Sequence, residues 1–205
     1  KRFIIVIILC ILSRLFYFII TDWDLRGHDT RAHIEYIEYL ITNFKLPDSG
    51  SMWESHQPPL YYVIAALIYK LLELFGLNKI FIYKGIQFFS IFLDIGIVFV
   101  GFFIIKFYFL KIKLKDKKLK NNLFFVSFSL FALWPSHIIH SARIGNDVMF
   151  YLFYLLSLLF LSYWNSNEKK VNLVWFFIFT FLTLISKKNG IVLIAITYSL
   201  FGLKF

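Results

Sequence analysis

From Ile80 to Leu110 the chain runs through an apolar stretch whose only charged residues are Lys84, Asp94 and Lys106. As a helix this stretch would rise about 46 Å, more than the ~30 Å hydrocarbon core of a bilayer. Comparable runs recur at Phe3–Ile20, Leu123–Ile139, Val148–Trp164, Val171–Ser186 and Ile191–Phe205. The chain is 60% hydrophobic, against about 45–50% in soluble domains. So apolar a sequence lacks the polar surface to cover itself in water. The expected fold is all-α, a polytopic transmembrane helical bundle of about six spans. Residues 1–205 read as a single transmembrane module, the N-terminal portion of a longer protein, because the last apolar run is incomplete at Phe205. No small-residue cleavage site follows the first run before Thr21, so that run reads as an anchor rather than a signal peptide.

Charge orders the spans. There are 22 Lys and Arg against 12 Asp and Glu, a formal net charge of +10. The basic residues fall in short runs between apolar spans, as in cytoplasmic loops, and this placement argues against nucleic acid as a partner. Lys1-Arg2 sets the N-terminus inside, and the run Lys111–Lys120, read as a solvated loop near anionic headgroups, belongs inside too. An odd number of crossings must then separate Thr21 from Lys111. The segment Leu60–Phe75, which carries Lys70 and Glu73 and follows Pro58-Pro59, is therefore expected to lie on or dip into the outer leaflet. The alternative, two full crossings that break the charge rule, stays open. Residues 21–79 become a large outer loop richer in acids than in bases, with Lys169-Lys170 inside. The single cysteine, Cys10, excludes an internal disulfide or a zinc cluster.

Within the outer loop, Thr30–Phe44 repeats Ile34, Ile37, Leu40 and Ile41 at helical spacing, with Asp29 or Thr30 as N-cap and Leu46-Pro-Asp-Ser-Gly50 as turn. Four polar clusters share the outer side. They are Gly27–Arg31 with His33, Glu54–Pro59 (with His56 and Gln57), Arg143–Asp147, and Ser186–Gly190. Ionisable groups beside transmembrane segments are functional candidates. Asp29 could act as a general base, partial desolvation raising its pKa, or could merely cap the helix. His28, His33 and His56 with Asp29 and Glu54 could hold a divalent metal, although their spacing matches no known metal signature. Arg143, Lys187 and Lys188 could bind phosphate, or the lysines could snorkel to the interface. Arg14, inside the first span, should face the bundle and have a partner. Asn146-Asp147 reads as a helix start, and His137 and His140 as interfacial anchors.

Taken in order, an acid after the first span, a helix with His33 and Tyr36, Leu46-Pro47 and His56-Gln-Pro-Pro-Leu-Tyr-Tyr62 resemble the polyprenyl-phosphate-sugar-dependent glycosyltransferases. These are membrane enzymes of the GT-C fold that include protein O-mannosyltransferases and lipid A aminoarabinose transferases. The resemblance continues through Arg143-Ile-Gly-Asn-Asp147 and Ser186-Lys-Lys-Asn-Gly190 and covers nearly the whole chain. It implies juxtamembrane helices in the first outer loop and a polyprenyl-phosphate-linked sugar as donor. It also implies a protein, lipid or glycan acceptor, and an active face outward from a prokaryotic plasma membrane. Asp29 maps onto the family's catalytic carboxylate, and Lys187, Lys188 and Arg143 onto cations that hold the donor phosphate. His33, Glu54, His56, Gln57, Tyr61, Asn146 and Asp147 are substrate-site candidates. Thr30 stands where many members carry a second acid, which leaves the metal undetermined. The competing reading is a membrane transporter or lipid-binding protein without transferase activity.

Overall fold

A computed structural model describes residues 2–25 and 27–202, with side chains as far as 197. Among them the regular structure is entirely helical. In chain order it comprises α1 (Arg2–Ile20), α2 (Thr30–Asn43), α3 (Leu60–Leu74), α4 (Lys79–Lys111), α5 (Lys117–Ala132), α6 (Pro135–Ser141), α7 (Asp147–Asn167) and α8 (Lys170–Ser186). A 3-10 turn at Lys188–Gly190 leads into α9 (Ile191–Gly202). Among the described residues four segments are long and apolar enough to cross a bilayer: α1, α4, α5 together with α6 (Lys117–Ser141), and α7. The apolar helices α8 and Lys188–Thr197 are shorter. Ile4, Ile8, Leu12 and Phe16 of α1 point outward and exposed. An apolar surface of this kind requires lipid around it.

One end of the bundle is basic. The Arg2 side chain donates to Asn122 at 3.2 Å, and the Phe3 ring meets Phe124 and Phe125, so α1 begins where α5 begins. Tyr108 and Ser162 meet at 3.0 Å and tie the end of α4 to the end of α7. Arg2, the run Lys111–Lys120 and Lys169-Lys170 thus share this end, as the charge argument expects. The basic run is not simply a solvated loop, however. Its second half opens α5, because the Asp116 side chain accepts from Lys118 N (2.8 Å) and Leu119 N (3.0 Å) and caps the helix.

The expected third span, Leu123–Ile139, is two helices. Pro135 lacks an N–H and drives the preceding Trp134 to an extended backbone (φ −62°, ψ 121°), so α5 stops and α6 restarts with proline in its first turn. The break turns His137 and His140 inward.

At the opposite end α2 and α3 pack on each other and on α4. Helix α3 rises about 22 Å, less than the ~30 Å hydrocarbon core of a bilayer. Tyr36 stacks on Tyr62 with ring centroids 3.9 Å apart, above a core of Ile37, Ala65, Ile86 and Ile97. Glu38 of α2 accepts from Lys79 and Tyr83, both at 2.7 Å, and holds the projecting start of α4. Lys84 donates to Phe18 O and Thr21 O, placing a cation on the carbonyl end of α1 where the helix dipole favours it. Deeper in the bundle, Arg14 is fully buried and paired with Asp94 of α4. Its guanidinium also donates to Cys10 O (3.1 Å) and Ala132 O (3.0 Å).

Candidate functional site

Asp29 occupies the N-cap position of α2, and its carbonyl accepts the helical bond from His33 N. Its carboxylate makes no capping bond to the backbone. Instead Oδ1 lies 2.9 Å from the exposed His28 ring, and the side chain is 47% exposed rather than desolvated. The carboxylate is therefore open to solvent and to a cleft shared with His33, His140, Arg143 and Asp147.

One turn along α2, His33 is buried, with Nδ1 2.8 Å from Tyr62 OH. Tyr62 OH in turn reaches buried Glu54 Oε2 at 3.5 Å, which joins the loop before α3 to α2. Burial lowers the His33 pKa to about 4; Asp147 and Asp29 pull the other way, and Lys187 adds to the lowering. Burial also raises the Glu54 pKa, opposed by His56 and Lys187 and reinforced by Asp29. His33 is thus a neutral ring and Glu54 a carboxyl that holds its proton more tightly than usual.

The far wall is the turn between α6 and α7. Gly145 passes so near His33 that an added Cβ would lie 3.1 Å from the ring Nε2. Gly145 N donates to Tyr61 OH at 2.9 Å. Asn146, almost fully buried, donates to Ser186 O at 3.0 Å and reaches Gln57 Oε1 at 3.5 Å. These bonds lock the end of α8 and the start of α3 to the start of α7. Asp147 accepts from Lys187, the residue after α8. Arg143 differs from these: its buried Nε has no hydrogen-bond partner among the described residues, and it lines the same cleft as Asp29.

The structure thus brings Asp29, His33, Arg143 and Asp147 together and sets Lys187 against Asp147. Glu54 lies behind His33. Tyr61 and Asn146 brace the wall, and Gln57 joins Asn146 to the His56 ring, 3.0 Å away. His56 is exposed and bonded to Trp53 O at 2.8 Å, and Lys188 is exposed on its turn. The candidate metal ligands His28, His33, His56, Asp29 and Glu54 do not gather: no group of three such donors forms among the described residues. The sequence reading underrated His140. It lines the cleft because the Pro135 break turns α6 inward, and the Trp134-Pro135 pair was the available signal.

The cleft has an interior of about 50 Å³ and opens to solvent. His140 and Val148 also line a second hollow, of about 180 Å³, that reaches down to Asp94. What the arrangement offers chemically is an accessible carboxylate and, lining the same cleft, an arginine whose buried Nε has no hydrogen-bond partner among the described residues. No family model, curated protein or solved structure matches this chain.

Proposed function

We propose that this chain carries the reaction centre of a GT-C-type membrane glycosyltransferase, which moves a sugar from a polyprenyl-phosphate carrier to an acceptor on the outer or luminal face. The observation that carries the reading is that one cleft is lined both by Asp29, free of its capping role, and by Arg143, whose buried Nε has no hydrogen-bond partner among the described residues. The ordered motifs from Asp29 to Lys188 support it, as does the separation of the cleft from the basic end. In this reading the basic end faces the cytoplasm of a prokaryotic cell, six helices cross the bilayer, and α2 and α3 lie at the outer surface.

Arg143 holds the donor phosphate, a guanidinium being suited to two phosphate oxygens at once. Lys187, already paired with Asp147, contributes charge at closer approach, and exposed Lys188 draws the headgroup in. The acceptor's lone pair forms the new bond to the anomeric carbon. The bond from that carbon to the phosphate oxygen breaks, and its electron pair stays on the departing polyprenyl phosphate. The acceptor proton moves to the Asp29 carboxylate and then to water, and the configuration inverts. Arg143 stabilises charge that grows on the leaving oxygen, which is where fixed cations lower a barrier. No step is routed through a metal.

A second reading, a transporter or lipid-binding protein, draws on the Arg14–Asp94 pair inside the spans, since intramembrane charge pairs also mark translocation paths. The deciding experiment incubates membranes containing the full-length protein with radiolabelled polyprenyl-phosphate sugars and compares wild type with Asp29→Asn at equal expression. Label transferred by wild type and not by the variant supports the transferase. Equal release moves the base elsewhere, and no release from any carrier favours the second reading.

A further inference from the structure

The cleft itself is too small for a sugar, yet the hollow beside it is not. That hollow's volume, about 180 Å³, equals some six waters at ~30 Å³ each, the bulk of one monosaccharide ring and far less than a polyprenyl chain. Its wall joins Asp94 of α4, Trp134 at the helix break, Ser136 and His137 of α6, and Tyr151 of α7. His140 and Val148 line both this hollow and the cleft that holds Asp29 and Arg143, so the two adjoin. It reaches into the bundle to the level of Arg14, about 9 Å from the end of α1.

The chemistry of the wall selects among ligands. Asp94 gives one carboxylate oxygen to Arg14, so the pair is close to neutral and offers no net attraction to an anion. Its other oxygen, Oδ1, lies 3.3 Å from the buried His137 Nδ1, which makes no hydrogen bond among the described residues. A hydroxyl in the hollow can donate to that second carboxylate oxygen. Trp134 and Tyr151, both exposed, add aromatic rings to the wall beside these polar groups. Apolar faces with a few convergent polar groups suit a ring that carries C–H on its faces and hydroxyls on its edge.

We infer that this hollow is the monosaccharide subsite, holding the donor's sugar ring while its phosphate sits at Arg143 in the adjoining cleft. The inference rests on the transferase reading and deepens it. The sugar hydroxyls engage Asp94 and His137, one ring face lies on Trp134, and the anomeric carbon points past His140 toward Asp29.

The test is equilibrium binding to the full-length protein in lipid nanodiscs. The ligands are bare polyprenyl phosphate and the same carrier bearing mannose, glucose, galactose or arabinose. The expected result is one sugar-bearing carrier bound roughly tenfold or more tightly than the bare carrier, the scale of one well-placed hydrogen bond to a charged group. Trp134→Leu and Ser136→Ala, both at exposed positions, should each collapse that preference toward the bare-carrier value. A preference that survives both substitutions overturns the subsite. Equal binding of bare and sugar-bearing carriers, lost in Arg143→Gln, also overturns it and leaves the phosphate reading standing. Binding of none of these carriers removes the transferase reading and the subsite with it.

Discussion

Lys187 donates to the Asp147 carboxylate, joining the residue that follows α8 to the first residue of α7. Asp147 also sits at the positive end of its own helix dipole, so its charge is held from two directions. Lys187 is thus already shared, whereas Arg143 lines the cleft with a buried Nε that has no hydrogen-bond partner among the described residues. This ranks the two cations in a way that their spacing along the chain could not.

A double-mutant cycle checks the pair. With the Lys187 side chain 19% exposed and that of Asp147 36% exposed, the coupling should be modest, about 0.5–1 kcal/mol. Thermal unfolding of Lys187→Gln, Asp147→Asn and the double variant in one detergent measures it. Zero coupling would mean the contact adds nothing to the fold.

Arg14 and Asp94 should respond more strongly. Removing one partner of a buried pair leaves the other charged and alone, which costs about 3–5 kcal/mol. Arg14→Met is therefore expected to lower folded yield and thermal midpoint severely, and Arg14→Met with Asp94→Leu to recover much of the loss. Size-exclusion profiles of the three proteins decide the point; a double variant no better than the single one contradicts it.

His33 predicts a pH dependence. Its folded pKa, about 4, lies below the ordinary value of about 6.5, so between these values the unfolded chain binds more protons. The contribution is intact above pH ~6.5 and is lost as pH falls toward ~4, up to about 3 kcal/mol in all. The groups around His33 are Tyr62, Glu54, Asp29, Asp147 and Lys187, and the pH profile contains their titrations as well. His33→Gln should remove the His33 component alone. Thermal midpoints of wild type and variant from pH 7 to 4 should converge on acidification, and parallel curves would refute the assignment.

Gly145→Ala should loosen the cleft wall. The added methyl would press on the His33 ring at 3.1–3.2 Å, and that ring is held by its bond to Tyr62. Overpacking of this kind typically costs about 1–3 kcal/mol. The variant should unfold earlier than wild type, and a smaller residue at His33 should relieve part of the loss; an unchanged midpoint would mean the turn shifts freely.

Hydropathy and loop charge alone located the helices well. The limits expected for α1, α4, α7 and α8 fall within a few residues of those observed, because a stretch inside lipid must bond its backbone internally and present apolar side chains. The short reach of Leu60–Leu74 and the gathering of Arg2 with the Lys111–Lys120 run follow the same logic, since charge and length restrict where a segment can sit. The gathering of Asp29, Arg143 and Asp147 at one end was legible too. Asp29 lies in the loop after the first span, Arg143 lies just before α7 and Asp147 begins it, and the basic loops set the direction of both spans.

Partnership was decided only by the packed structure. That Arg14 would need a partner could be read from its place in an apolar run. That the partner is Asp94, with His137 beside it, depends on how α1, α4 and α6 meet. The break at Pro135, the closeness of Gly145 to His33 and the sharing of Lys187 with Asp147 likewise depend on side chains far apart in the chain. A sequence determines which segments must enter lipid, since that depends on local composition and length. Which buried charge meets which, and which cation is left open to a ligand, depends on contacts that exist only once the helices have packed.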